Sequence, residues 1–412
     1  MTAATALSHA STSAPARDLW RFRPPTVAAL LVTGGFFFRA GSPFEQHPLA
    51  FAGFREAFVV VCALAALVHV FGRLKTRSPV TVAEFIVLAL VPTAMLTSAV
   101  LALIAHGQPI PYGLFEERRM LLFFAIFVIG ATLAGSREPF RDLLGAFYWS
   151  GSITVALGLF LQTGALGDLA LRDVPYLDPR KDRIIVGMNL YAAMAAVGLV
   201  LFVLERRMGH ALAVVIGLTG LALVGQTRTT ALLLFAAVPL SLVFLFVGTQ
   251  IAAVVAALAI AWLGLEVLPF IADGERTGIG EVDVRLQTVH RIVAAIKEND
   301  GFGMGALSLQ WYGGFHSVFD RFFYLSDVGL MGDVYRYGIL VLPIYATMLA
   351  LLALGVGAAR SRRAHAVVIT LATLLAVGSL NLGLLWSVAS DWAIFLTFAA
   401  AAQMDPTERG AG

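Results

Sequence analysis

Residues 220–242 read GLALVGQTRTTALLLFAAVPLSL, which is two apolar runs joined by a short polar turn. Such runs are typical of membrane helices, and Thr229 or Thr230 is suited to cap the second one. Arg228 is the charged residue of the turn and is therefore expected at the membrane border. One interpretation is that its side chain extends to lipid headgroups. The other is that it binds an anion, since a helix N-terminus already favours negative charge.

The composition extends this interpretation to the whole chain. Its 412 residues are 59% hydrophobic and 13% charged, with a mean hydropathy of +0.83, whereas soluble domains carry about 25% charged residues. The apolar runs are longer than the roughly 10-residue alternating strands of membrane barrels. We therefore predict an all-α, polytopic membrane protein. Cys62 is the one cysteine and lies in an apolar run, so a disulfide framework is excluded and a small buried side chain is expected.

The apolar runs predict about twelve spans of roughly 20 residues each. Residues 1–24 and 405–412 are expected to be cytoplasmic tails, the first of them disordered, and 273–324 to be a large periplasmic loop with short amphipathic helices. The first nine spans fall within 25–272 and the last three within 325–404. The individual spans are predicted at 25–40, 51–72, 81–106, 119–136, 143–166, 184–205, 210–225, 229–247, 251–272, 325–356, 364–387 and 390–404.

Basic loops set the expected orientation. Besides the N-terminal tail, four segments carry Lys or Arg with few acids: 73–78, 137–141, 205–207 and 360–365. Because cytoplasmic loops hold an excess of Lys and Arg, we expect these segments and both termini on the cytoplasmic side. The opposite face is also rich in arginine. Either the orientation is inverted, or that face binds an anionic ligand.

Arginines on that face stand beside features suited to an anion. Arg183 comes just before a span near Gly187, and Arg285 leads an amphipathic helix expected on the membrane surface at 283–297. Arg119 opens the fourth span. A guanidinium presents a fork of donors that fits phosphate oxygens. Each of these arginines also has an ordinary interpretation as the basic flank of a helix.

The end of the long loop holds two candidate proton acceptors, His316 and Asp327. The glycine-rich turn GFGMG precedes them, but no strand comes before it, so a dinucleotide site is not expected. Asp333 and Arg336 are spaced to pair within one helix. The aromatic residues around His316 either stack on sugars or seat the loop on the membrane.

In this order, the segments resemble the O-antigen ligase and polymerase family of bacterial envelope glycosyltransferases. RIIVGMNLYAAMAAVGL (183–199) is similar to the family's Arg-Gly-Asn opening of a middle span, and LVGQTRTTALLL (223–234) to its Ser-Arg hairpin, with Thr227 replacing the serine. DVRLQTVHRIVAAIKENDGFGMGAL (283–307), followed by YRYGILVLPIY (335–345), is similar to its periplasmic loop and the glycine-containing helix after it.

The resemblance implies a GT-C-like enzyme that polymerises undecaprenyl-pyrophosphate-linked oligosaccharide repeats at the periplasmic face of the inner membrane. An acceptor hydroxyl would attack the anomeric carbon while the lipid pyrophosphate leaves. Asp327 or His316 would be the general base. Because the sequence has no strong carboxylate cluster, we expect a metal-independent inverting transfer without a cofactor. Four arginines are implied as pyrophosphate ligands: Arg119, Arg183, Arg228 and Arg285.

Other functions remain open at this point. Ligases of the family carry a His-Asn pair where this chain reads LSDVGLMGD, which favours a polymerase over an O-antigen ligase acting on lipid A core. A lipid-linked oligosaccharide flippase would need charges deep in its spans, and a scaffold subunit of a secretion complex would need none of the arginines. Expected partners are membrane lipids and a chain-length regulator and flippase of the same pathway; nucleic acid is not expected.

Overall fold

The computed structural model describes twelve stretches of the chain. The predicted spans 25–40 and 251–272 and both tails lie outside them. The described residues are 52–162, 177–178, 183–184, 188–225, 228–247, 280–308, 310–311, 315–319, 323, 325, 328–382 and 389–404.

Helices dominate the described residues, as an all-α protein requires. A 3₁₀ stretch at Arg118–Phe124 and a wider, π-helical turn at Gly220–Gly225 interrupt them. The two-residue strands β1 (Leu177–Asp178) and β2 (Arg183–Ile184) pair antiparallel. The helices are α1 Ala52–Thr76, α2 Val82–His106, α3 Ile110–Glu117, α4 Ala125–Leu133, α5 Pro139–Gln162, α6 Met188–Glu205, α7 Met208–Thr219, α8 Arg228–Val247, α9 Gly280–Glu298, α10 Phe315–Val318, α11 Leu330–Tyr337, α12 Val341–Gly357, α13 Arg362–Leu382 and α14 Ala389–Met404.

The helices have the character of membrane segments. Within the described residues, three are long and apolar enough to cross a bilayer: Ala57–Thr76, Val82–His106 and Pro139–Phe160. Large apolar side chains such as Val68, Phe71 and Phe235 are exposed on the outside of the bundle. A soluble monomer rarely exposes so much contiguous apolar surface, so these faces are suited to lipid. The core lies between the helices and includes Cys62, which is fully buried as predicted.

α2 shows why the sequence forms a spanning helix with defined ends. Thr81 accepts a hydrogen bond from the Glu84 backbone N–H, and the Glu84 side chain accepts one from the Thr81 N–H, which completes a capping box. Gly107 closes the helix in the left-handed conformation, with φ at 73°. The predicted span 81–106 therefore agrees with the observed helix.

The predicted single span 325–356 is wrong, because two helices, α11 and α12, occupy it. Gly338 separates them with φ at 57°, a conformation that favours glycine. The next residue, Ile339, donates its N–H to the carbonyl of Gly301 at 2.9 Å, so the break is held by another segment. The local sequence does not mark this break, because the break depends on the approach of a segment from another part of the chain.

Three of the predicted cytoplasmic segments meet at one end of the bundle. Nε of Arg363 lies 3.1 Å from Oε1 of Glu205, and Nε of Arg207 lies 3.3 Å from the other oxygen of that carboxylate. Arg141 is close enough for its charge to act on Arg363. The segments 137–141, 205–207 and 360–365 thus share one face, as their composition predicted.

Candidate functional site

Two of the predicted anion ligands come from neighbouring backbone segments. Arg183 lies on β2 opposite Asp178 of β1. β2 packs against the turn Gly220–Gly225, with Cα atoms within 8 Å, and Arg228 is the first residue of the helix that follows. The backbone therefore brings Arg183 near the approach to Arg228, although the two are far apart in sequence. The side chains of both arginines lie outside the described residues.

The other predicted site residues belong to the loop after residue 280. Arg285 lies on α9, the amphipathic helix, which extends over 280–298. His316 lies on the short helix α10. The side chains of both lie outside the described residues, and so does all of Asp327. α9 packs against α11, which fixes the helix that carries Arg285 relative to the end of the loop.

A small apolar core holds the loop together. Ile292 of α9 is fully buried against aromatic side chains, so protein covers part of the helix face that was expected to lie on the membrane. The Phe319 and Phe323 rings lie 5.0 Å apart and pack against the ring of Tyr335. These two phenylalanines are therefore core residues rather than sugar-stacking or membrane-seating groups. The buried members of this core are Ile292, Leu307, Phe319, Phe323 and Tyr335.

The glycine-rich segment 301–308 is fastened by its backbone. Met304 N–H donates to the carbonyl of Tyr335 at 2.7 Å, and Gly305 N–H donates to the carbonyl of Arg336 at 3.0 Å. Gly303 and Gly305 let this segment touch the backbones of α11 and α2, where a Cβ atom would collide. Because these amide groups are already satisfied, they are not free to cradle a phosphate.

Polar side chains from α2 and the residues after it complete the attachment. Ala306 N–H donates to Oγ of Ser98 at 3.0 Å. The Gln108 amide bonds the same segment at two points: its Nε2 donates to the carbonyl of Ala306 at 2.9 Å, and its Oε1 accepts from Ser308 N–H at 2.8 Å. Ser98, Gln108 and Ser308 are all fully buried, so these hydrogen bonds form away from water.

A buried ion pair lies directly beneath this attachment. Nη1 of Arg336 donates to Oε1 of Glu117 at 3.0 Å, and Oγ of Ser98 donates to the same oxygen at 2.8 Å. Asp333, the expected intrahelical partner of Arg336, accepts a hydrogen bond from the hydroxyl of Tyr345 at 2.7 Å. Sequence spacing could not reveal the Glu117–Arg336 pair, because 219 positions separate the two residues.

The surroundings of Arg119 combine both signs of charge. Burial raises the pKa of the Glu116 carboxyl above its ordinary value, and the neighbouring Glu117 raises it further, while Arg336, Arg118 and Arg119 oppose the shift. The guanidinium of Arg118 lies 3.8 Å from the centre of the Phe115 ring and donates to that residue's carbonyl. The charge of Arg119 thus acts on the Glu116 carboxyl.

Two buried polar atoms in this region have no hydrogen-bond partner in the described structure: Oε2 of Glu117 and the hydroxyl of Tyr335. Buried polar groups are usually satisfied, so these two atoms are exceptions within the described residues. No group of three His, Cys, Asp or Glu in the described residues is placed to hold a metal ion.

Comparison of the sequence with protein-family models and with curated proteins finds no match.

Proposed function

We propose that the chain is a membrane glycosyltransferase of the bacterial inner membrane that polymerises undecaprenyl-pyrophosphate-linked oligosaccharide repeats. Its class is that of exopolysaccharide and O-antigen polymerases. The observation that carries the proposal is the packing of β2 against the turn that precedes α8. This packing places the backbone of Arg183 near the helix start at Arg228.

The chemistry of the transfer explains why such a pair is useful. Negative charge grows on the lipid pyrophosphate as the bond to the anomeric carbon breaks. Fixed donors aimed at that charge stabilise the transition state, and removing one typically costs about 100- to 1000-fold in rate. The N-terminus of α8 adds the positive end of the helix dipole to Arg228.

The loop supplies the remaining roles. Arg285 is a further pyrophosphate ligand on α9, and α9 is fixed by its packing on α11. His316 or Asp327 accepts the proton of the acceptor hydroxyl. Arg119 is the fourth proposed pyrophosphate ligand, and its charge also acts on the Glu116 carboxyl.

Alanine substitution of Arg228 tests the proposal in cells that depend on this protein for polymer. Arg228→Ala is expected to lower the amount of polymer made per unit of enzyme by about 100-fold. The amount and the chain length of the polymer are read on a gel at matched expression of the two proteins. Arg360→Ala is the control, since Arg360 is an exposed arginine in the basic segment at the other end of the bundle. Normal chain length in Arg228→Ala would reject the role of the residue.

Additional measurements on such variants separate the competing functions. If the chain is instead a ligase, Arg228→Ala leaves the chain length of the polymer intact, and the finished polymer stays unattached to its acceptor. If the chain is instead a flippase, Arg228→Ala leaves single lipid-linked repeats on the cytoplasmic side of the membrane. An enzyme added to the outside cannot reach them there. A scaffold would tolerate the loss of Arg183, Arg228 and Arg285 together.

A further inference from the structure

Segment 301–308 is attached to α2 and the residues after it by specific hydrogen bonds of buried side chains. Gln108 bonds a backbone carbonyl and a backbone amide two residues apart, so its side chain acts as an extra peptide group beside the segment. Ser98 connects the same segment to the buried Glu117–Arg336 pair. We call Ser98, Gln108 and Glu117 the clamp.

The clamp stands between the helical bundle and the parts of the loop that carry the proposed site. On one side, α2 is a candidate span of 25 residues. On the other side, segment 301–308 continues directly from α9, the helix of Arg285, and bonds the carbonyl groups of Tyr335 and Arg336 on α11. A shift of this segment therefore moves α9 and α11 relative to α2.

We propose that Gln108 is a positioning residue, which holds α9 at the distance from the bundle that the lipid-linked donor requires. The proposal rests on the proposed function, because it assigns Arg285 on α9 to the pyrophosphate. Gln108 touches no substrate and acts through segment 301–308. Its loss weakens donor binding in the ground state and is seen in KM, since Arg285 binds the pyrophosphate before and during the transfer.

Gln108→Met tests the inference, because methionine keeps the length of the side chain and removes both hydrogen bonds. Gln310→Ala is the matched control: Gln310 lies in the same loop, and its side chain is exposed. Both variants are made in the full chain, purified in detergent and compared with the unchanged protein. The donor is an undecaprenyl-pyrophosphate-linked repeat unit, varied in concentration.

In Gln108→Met, KM for the donor is expected to rise about fivefold, because the loss of both hydrogen bonds lets segment 301–308 and α9 move away from their position for the donor. Gln310→Ala is expected to leave KM unchanged. A purely structural role would reduce the active fraction, and hence the apparent kcat, without changing KM. An unchanged KM in Gln108→Met would therefore overturn the positioning role.

Hydrogen exchange gives a second measurement that does not depend on activity. The Ser308 amide, which donates to Gln108, is expected to exchange about fivefold faster in Gln108→Met, while the Met304 amide remains protected by Tyr335. Unchanged exchange at Ser308 would show that the clamp does not hold the segment. If the unchanged protein makes no polymer, the proposed function fails and the positioning role with it, and exchange still decides whether the clamp exists.

Discussion

The buried pair of Glu117 and Arg336 yields the sharpest prediction about stability. The Glu117 side chain is 0% exposed and that of Arg336 is 10% exposed, with 3.0 Å between the paired atoms. Glu117→Gln removes the charge that compensates the guanidinium and keeps an oxygen that accepts from Ser98. Removing one partner of a buried pair typically costs about 3–5 kcal/mol, since the other charge is left unpaired.

A surface pair in the same chain is a matched control. Arg141 and Glu138 are also 3.0 Å apart, but the Glu138 side chain is 44% exposed and the two residues are one helical turn apart. Exposed pairs of this kind contribute about 0–1 kcal/mol. Glu138→Gln makes the same chemical change and is expected to cost less than about 1 kcal/mol.

The assay is equilibrium unfolding in detergent, followed by the circular dichroism of the helices. Glu117→Gln is expected to lower the free energy of unfolding by several kcal/mol more than Glu138→Gln. A double variant, Glu117→Gln with Arg336→Met, is expected to recover part of the loss, because the guanidinium that Glu117 compensates is removed as well. Equal effects of the two single variants, or no recovery in the double variant, would show that the buried pair of Glu117 and Arg336 is not held by its charges.

Two further substitutions test the close packing around the clamp. Gly305→Ala is expected to destabilise the protein by about 1–3 kcal/mol more than Gly301→Ala: both glycines have positive φ, 69° and 86°, but a Cβ at Gly305 meets the backbone of α2 and one at Gly301 meets nothing within 4 Å. Equal losses in the unfolding assay would contradict this difference. Tyr335→Phe removes a buried hydroxyl without a partner in the described structure, so the free energy of unfolding is expected to stay within about 1 kcal/mol or to rise; a loss of more than about 2 kcal/mol would show that the hydroxyl is bonded.

Hydropathy was sufficient to predict that the described residues are mostly helical, because a long apolar run in lipid must satisfy its own backbone. α2 begins and ends within a residue of its predicted bounds, since Thr81 and Gly107 mark both ends locally. The basic segments also predicted a shared face correctly, as the contact of Arg363 with Glu205 shows. Local chemistry therefore carries the information for helix ends and for charge placement.

Contacts between residues that are far apart in the chain could not be predicted from the sequence. Glu117 and Gln108 stand in a segment that was interpreted as a loop before a span, although α3 occupies 110–117 and both residues are buried. Nothing near Arg336 indicates that its partner lies 219 positions earlier. The break at Gly338 was missed for the same reason, because it depends on the approach of Gly301 and Phe302 from another part of the chain.

We propose that arginines of this chain hold a lipid pyrophosphate while a glycan is transferred. The most direct test supplies the purified protein with a defined undecaprenyl-pyrophosphate-linked repeat unit and determines the masses of the products. We expect a ladder that grows by one repeat unit at a time and that is reduced about 100-fold in Arg228→Ala. Repeat units that remain single, with or without movement across a reconstituted bilayer, would contradict it.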